Sequence, residues 1–247
     1  MILDMNISWG NWPFQKDRFS SVKKLKAFLR ENGIGGGLVR SAEAAFAPDL
    51  EYCNEKLFAE FKDNDDFIPV PTVNPAYSEW KELLASDRAM PAVAVYPGYH
   101  GYSVLSEGFT ELACTLENRN IALIVVVREE DERGHNKFCQ IPPVPVKEIN
   151  ELGKNKSKLN IICLNCYFSE LKILLSNAPN INADIAFAET LNTIKSILQV
   201  VGHEQIVFGS HTPFLYTVSA LMKLKDSDVD ERVFRSIATE NAKRILK

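Results

Sequence analysis

Apolar positions recur along this chain with two alternating periods. Short β-branched runs alternate with longer stretches whose apolar residues fall three and four apart, as expected of strands and amphipathic helices. The runs predict strands near Ile2–Ile7, Gly36–Arg40, Phe67–Val73, Ala92–Tyr96, Ile121–Val127, Asn160–Asn165, Ile181–Phe187 and Gln205–Gly209. The run from Ile121 to Val127 is apolar throughout, which suits a parallel strand covered on both faces. A first helix is predicted over Val22–Asn32, with Val22, Leu25, Phe28 and Leu29 at helical spacing, Ser21 before it and Gly33 after it as caps. Similar patterns cover Leu50–Phe61, Glu79–Ala85, Glu107–Asn118, Val146–Leu152, Glu170–Ser176, Leu191–Val201, Leu215–Leu224 and Glu231–Leu246. Eight βα alternations with no Ser/Pro/Gly-rich linker predict an α/β protein, a single domain over residues 1–247 built as a (β/α)8 TIM barrel. Periodicity alone leaves an open doubly wound sheet compatible. No G-x-G-x-x-G follows the first strand, which weakens a dinucleotide-binding alternative.

Composition narrows the partners. The chain has 247 residues and a net charge of −4, so no basic face argues for nucleic acid or an anionic membrane. A small-molecule substrate or ligand is the expected partner, and a homo-oligomer is compatible with the sequence. Five scattered cysteines do not read as a disulfide framework. The strand-like start lacks a secretory pattern, and the longest apolar run is too short to span a bilayer. A cytoplasmic protein is the expectation.

In such barrels the chemistry gathers where strands end at their carboxyl side. Those ends carry Asn6 and Ser8, Arg40, Asn74, the segment Tyr96–His100, the charged run Arg128–Arg133, Asn165, Glu189 and His211. Any one of them alone reads more simply as a helix cap or a solvated turn; their convergence on one mouth makes the case for a shared site. Trp12, with Trp9 and Phe14, follows the first strand and would either stack on a flat substrate or pack under the first helix. Cys163-Leu-Asn-Cys166 lies on or beyond an apolar strand without a second pair, so buried thiols explain it better than redox or zinc chemistry.

These segments resemble amidohydrolases of the second large group. Asp4-Met-Asn6-Ile-Ser8 stands where that family carries Asp-x-His-x-His. Val70-Pro-Thr-Val-Asn74-Pro75, Tyr96-Pro-Gly-Tyr99-His100, Gly209-Ser-His211-Thr-Pro-Phe214 and Glu240-Asn-Ala-Lys-Arg-Ile-Leu246 are similar to its later signatures. The resemblance implies a metal-dependent-hydrolase-like barrel, but with the ligand set replaced. Asn6 and Ser8 stand for two histidines, Val126 and Asn165 fall near two more, and His211 replaces an aspartate. Amide and hydroxyl oxygens are poor zinc ligands. No metal ligand is assigned and no cofactor is expected; a divalent metal such as zinc would need unforeseen ligands.

Two functional readings follow. The first is a hydrolase, lactonase-like and metal-independent or weakly metal-dependent, for a small carboxylate-bearing or sugar-derived compound. In it His211 is the acid–base group with His100 as a second, and Arg40 and Arg128 clamp a carboxylate. Asn6, Ser8, Trp12, Asn74, Asn165 and Glu189 would line the substrate. The second reading is a catalytically inactive barrel that keeps only the binding of a small ligand.

Overall fold

The computed structural model describes residues 1–16, 18–63 and 66–247. Eight strands alternate with helices: β1 (Ile2–Trp9), α1 (Val22–Glu31), β2 (Ile34–Ser41), α2 (Leu50–Phe61), β3 (Phe67–Val70), α3 (Glu79–Ala85), β4 (Ala92–Val95), α4 (Pro97–His100) and α5 (Glu107–Arg119). The second half follows with β5 (Ala122–Val126), α6 (Val146–Asn155), β6 (Ile161–Leu164), α7 (Phe168–Leu174), β7 (Ile181–Asp184), α8 (Thr193–Leu198), β8 (Ile206–Val207), α9 (Thr217–Lys225), α10 (Glu231–Arg235) and α11 (Asn241–Ile245). No helix among the described residues is long and apolar enough to cross a membrane.

All strand pairs are parallel. They form ladders β1-β2-β3 and β4-β5-β6-β7-β8. Two seams join these ladders into a ring. At one, Thr72 bridges Ala94, with Val73 donating to the Ala94 carbonyl and Ala94 to that of Pro71. At the other, Ile7 bridges Thr212, while Met5 donates to Phe208 and Ser8 to Thr212. The expected (β/α)8 TIM-barrel fold is the observed one.

Several ladders end before the sequence pattern does. β3 stops at Val70 rather than Val73, where Pro71 has no N–H to donate. Residues beyond β7 stay buried but turn away, with Ala188 donating back to Ile185. The segment after β4 forms a one-turn helix, with Pro97 at its first position and Gly101 as a left-handed cap. The predicted closing helix is interrupted: Ser236–Glu240 is π-helical between α10 and α11.

Strand alternation sorts the core into two layers. Val93, Val95, Leu123, Val125, Ile161 and Cys163 face the helices, whereas Ala92, Ala94, Ile124, Val126, Ile162 and Leu164 fill the barrel. Ala242 and Ile245 of α11 pack into the inner layer. In β1 the alternation changes phase. Met5 lies in the inner layer and Ile7 in the outer, and the register with β2 shifts between Asp4 and Ile7. This bulge turns Asn6 and Ser8 inward just beyond Met5. Gly37 of β2 permits the close approach, since a Cβ there would stand 1.9 Å from the Asp4 carbonyl oxygen.

Candidate active site

A buried polar layer caps the inner apolar layer. Arg40 lies within it, and the side chain is 2% exposed. Its Nη1 donates to Ser8 Oγ at 2.9 Å, and its Nη2 reaches Asn6 Oδ1 at 2.8 Å and the Glu129 carboxylate at 3.0 and 3.3 Å. Ser8 Oγ in turn lies 3.3 Å from Glu129 Oε1. Asn6 Nδ2 donates to Asn165 Oδ1 at 2.7 Å and to Asp184 Oδ2 at 2.5 Å. Asp184 Oδ1 accepts from the Asn165 backbone, and Asp4 Oδ1 accepts from the backbones of Asn6 and Ser210. Gly209 makes room for this layer, because a Cβ there would stand 2.5 Å from Asp184 Oδ2.

Three buried carboxyls, Asp4, Glu129 and Asp184, therefore lie in one layer with the Arg40 guanidinium, and Glu129 pairs with it directly. Desolvation pushes Asp4 and Glu129 up to about 7 and Asp184 to about 6. Arg40 and Ser8 oppose the shift at Glu129, and the amide groups of Asn6 and Asn165 oppose it at Asp184. The layer thus holds protons near neutral pH.

His211 and Asn165 take the left-handed backbone at φ 55° and 63°, which aims both side chains inward from the strand ends. His211 Nε2 donates to the Glu129 carbonyl at 2.8 Å, and Nδ1 faces Asn6 Oδ1 at 3.3 Å. Burial, with the nearby Arg40 charge, holds His211 down to about 3, so the ring is neutral at physiological pH. Phe214 stacks on it with ring centres 4.9 Å apart. In this geometry His211 braces the Glu129 main chain rather than offering a titrating base.

The remaining sequence candidates fall elsewhere. Arg128 stacks over Tyr167 and is locked: Nε binds Glu132, Nη1 binds the Asn165 carbonyl and Glu170, and Nη2 binds Glu170. With Arg40 bound to Glu129, neither arginine offers a free fork to a substrate carboxylate. Glu189 pairs with Lys223 at 2.5 Å. Asn74 folds on itself, its Oδ1 accepting from the Ala76 backbone. His100 Nε2 donates to the Ala44 carbonyl at 3.0 Å, and burial lowers its pKa.

Two clefts open near the strand ends. The mouth, about 820 Å³, is lined by Glu129, His211, Phe187, Phe214, Tyr167 and the loop Glu130–Gly134. An outer cleft of about 1000 Å³ is lined by Asn74, His100, Tyr99, Phe46, Trp80 and neighbours. Between them stands Trp12, 6% exposed, with ring centres 5.1 Å from Phe46, 5.9 Å from Tyr99 and 5.1 Å from Phe214. The sequence candidates are therefore divided: His211 and Glu189 line the mouth, while Asn74 and His100 line the outer cleft.

Glu129, Asp184 and Asp4 escaped the sequence reading as site residues. Glu129 lay in a charge run that resembles a solvated loop. Asp184 did carry a signal, a carboxylate in step with Asn182 inside the otherwise apolar run from Ile181 to Phe187. The buried thiols of Cys163 and Cys166 are pushed up by desolvation, so neither is a reactive thiolate.

The donor set does not suit a zinc ion. Asn6, Ser8 and Asn165 offer amide and hydroxyl groups already engaged with one another or with Arg40, and the His211 Nε2 proton is committed to a carbonyl. Among the described residues no group of three or more His, Cys, Asp or Glu side chains is arranged to hold a metal.

No family model matches the chain, and no curated protein matches it. Solved structures match by shape. The 5-carboxyvanillate decarboxylase LigW from Sphingomonas paucimobilis superposes with a TM-score of 0.76 at 14% identity, over 99% of this chain and 98% of that one. A candidate 2-pyrone-4,6-dicarboxylic acid hydrolase from Pseudomonas putida gives 0.70 at 10% identity, over 99% and 97%. An amidohydrolase from Burkholderia multivorans gives 0.72 at 10% identity, over 100% and 99%. At these identities the likeness shows a shared TIM-barrel fold.

Proposed function

We propose that this barrel is a metal-independent enzyme of the hydrolase type acting on a small lactone, with Glu129 as the group that moves the proton. The observation that carries this reading is a carboxyl on the floor of an aromatic-walled mouth, pushed up to about 7 while Arg40 and Ser8 hold it in place. Such a group is partly ionised near neutral pH and can both take and return a proton. As carboxylate it accepts a proton from water while that oxygen attacks the ring carbonyl. It then returns the proton to the ring oxygen as the bond opens, so that water and lactone give the hydroxy acid.

The similar barrels point to ring compounds, two being named for 5-carboxyvanillate and 2-pyrone-4,6-dicarboxylic acid. In this chain the cations at or beneath the mouth are already paired: Arg40 with Glu129, Arg128 with Glu170 and Glu132, Arg133 with Asp131. A neutral, sugar-derived lactone therefore suits the mouth better than a dicarboxylate. Acid release from a panel of neutral and carboxylated lactones tests this. Glu129→Gln should lower turnover roughly 10²–10⁴-fold, and an unchanged rate would remove Glu129 from the chemistry.

One observation favours a second reading, a barrel that binds without reacting. Arg40, Glu129 and His211 are at most 2% exposed and largely satisfy one another. Saturable calorimetric binding of panel members with no acid release would support that reading and defeat the first.

A further inference from the structure

The polar layer contains a fixed cation at the positions where the resemblance implies metal ligands. Asn6 and Ser8, which stand in for two histidines, both point at Arg40, at 2.8 and 2.9 Å. Asn165, at a third such position, is bonded to Asn6 at 2.7 Å. The guanidinium receives one carboxylate directly, Glu129, with Asp184 one hydrogen-bonded step away through Asn6. Tyr96 closes one side, its ring centre 5.8 Å from the Arg40 Cζ.

We propose that the Arg40 guanidinium is the resident cation of this barrel, occupying by a covalent tether the charge-neutralising seat that a divalent ion would need. The argument is electrostatic and steric. A guanidinium stays charged under all physiological conditions and presents a planar set of donors. Those donors match the oxygens of Asn6, Ser8 and Glu129, all of which act as acceptors toward it. A divalent ion would have to displace that group from a buried seat and then accept neutral oxygens in place of imidazole. The same pairing explains why two neutral residues suffice where the resemblance implies histidines. Arg40 brings the positive charge, so the first strand needs only acceptors.

The proposal yields paired measurements. Wild-type protein incubated with zinc or manganese and then dialysed should retain well under one equivalent, and its melting temperature should not rise with either ion. Arg40→Ala should lower the melting temperature by roughly 10 °C, the loss expected when a buried carboxylate loses its counter-ion in a chain of this size. Guanidinium chloride at low millimolar concentration should restore part of that loss in Arg40→Ala and leave wild type unchanged, whereas sodium chloride should not. A metal equivalent that survives dialysis and stabilises wild type overturns the proposal. So does an Arg40→Ala protein as stable as wild type, or one rescued equally by sodium. Should Arg40→Ala not fold without additive, refolding with and without guanidinium supplies the same comparison, and equal yields count against the proposal.

Discussion

Asp4 is the least satisfied of the buried carboxyls, for its Oδ2 has no partner among the described residues. It ionises at its ordinary 3.8 when exposed and near 7 when folded. Between those values the folded chain keeps a proton that the unfolded chain has lost, so stability falls as pH rises through that window. Asp4→Asn removes the titration. Urea denaturation should show the variant gaining on wild type between pH 4 and 7, by up to about 4 kcal/mol. A gap that does not change with pH would mean that Asp4 is ionised throughout. His211 acts in the opposite sense: held low, it contributes stability that is lost as pH falls from 6.5 toward 3. Arg128 is a strut between loop and helix. Arg128→Ala should cost about 2–4 kcal/mol by stranding Glu170 and Glu132, and Arg128→Lys should recover little because one ammonium cannot replace its several directed contacts. Full recovery by lysine would reduce Arg128 to a point charge.

At the scale of elements, β1 and β2 are the pair that builds the site. The bulge in β1 aims Asn6 and Ser8, and Gly37 opposite it admits the Asp4 carbonyl. Gly37→Ala should therefore destabilise the protein by at least about 2 kcal/mol, since the obstacle is backbone and cannot rotate away; a thermal melt matching wild type would show that β1 can shift. These two strands also show what the sequence discloses. All eight strands and the amphipathic helices were legible because burial on two faces writes period two or unbroken apolar runs. The bulge was not, since Leu3-Asp-Met-Asn-Ile-Ser alternates without interruption and nothing local marks the change of phase. The inward placement of Asn6, Ser8 and Arg40 could be anticipated from strand ends. Their mutual closure could not, for it depends on Glu129, which follows its strand in a run of charges and is held inward by Arg40, Ser8 and His211. The π-helical turn at Ser236–Glu240 likewise leaves the 3.6-residue pattern readable and shifts only its last turns.

For the molecule as a whole, the ring is unevenly fastened. β4 to β8 are laddered, whereas the β3–β4 and β8–β1 seams rest on single bridges and a few backbone bonds. Local opening should begin there. Native-state hydrogen exchange should leave the amides of Val73 and Met5 at least roughly tenfold less protected than those of β5, and uniform protection around the ring would contradict this. The aromatic wall between the two clefts carries a different kind of consequence. The chain has three tryptophans; Trp12 forms that wall, and Trp80 lines the outer cleft. An occupant of the mouth presses on Phe214 and so perturbs the emission of Trp12, while an occupant of the outer cleft meets Trp80 directly. With Trp12→Phe and Trp80→Phe as controls, the protein's own fluorescence reports which of these two clefts a molecule has entered.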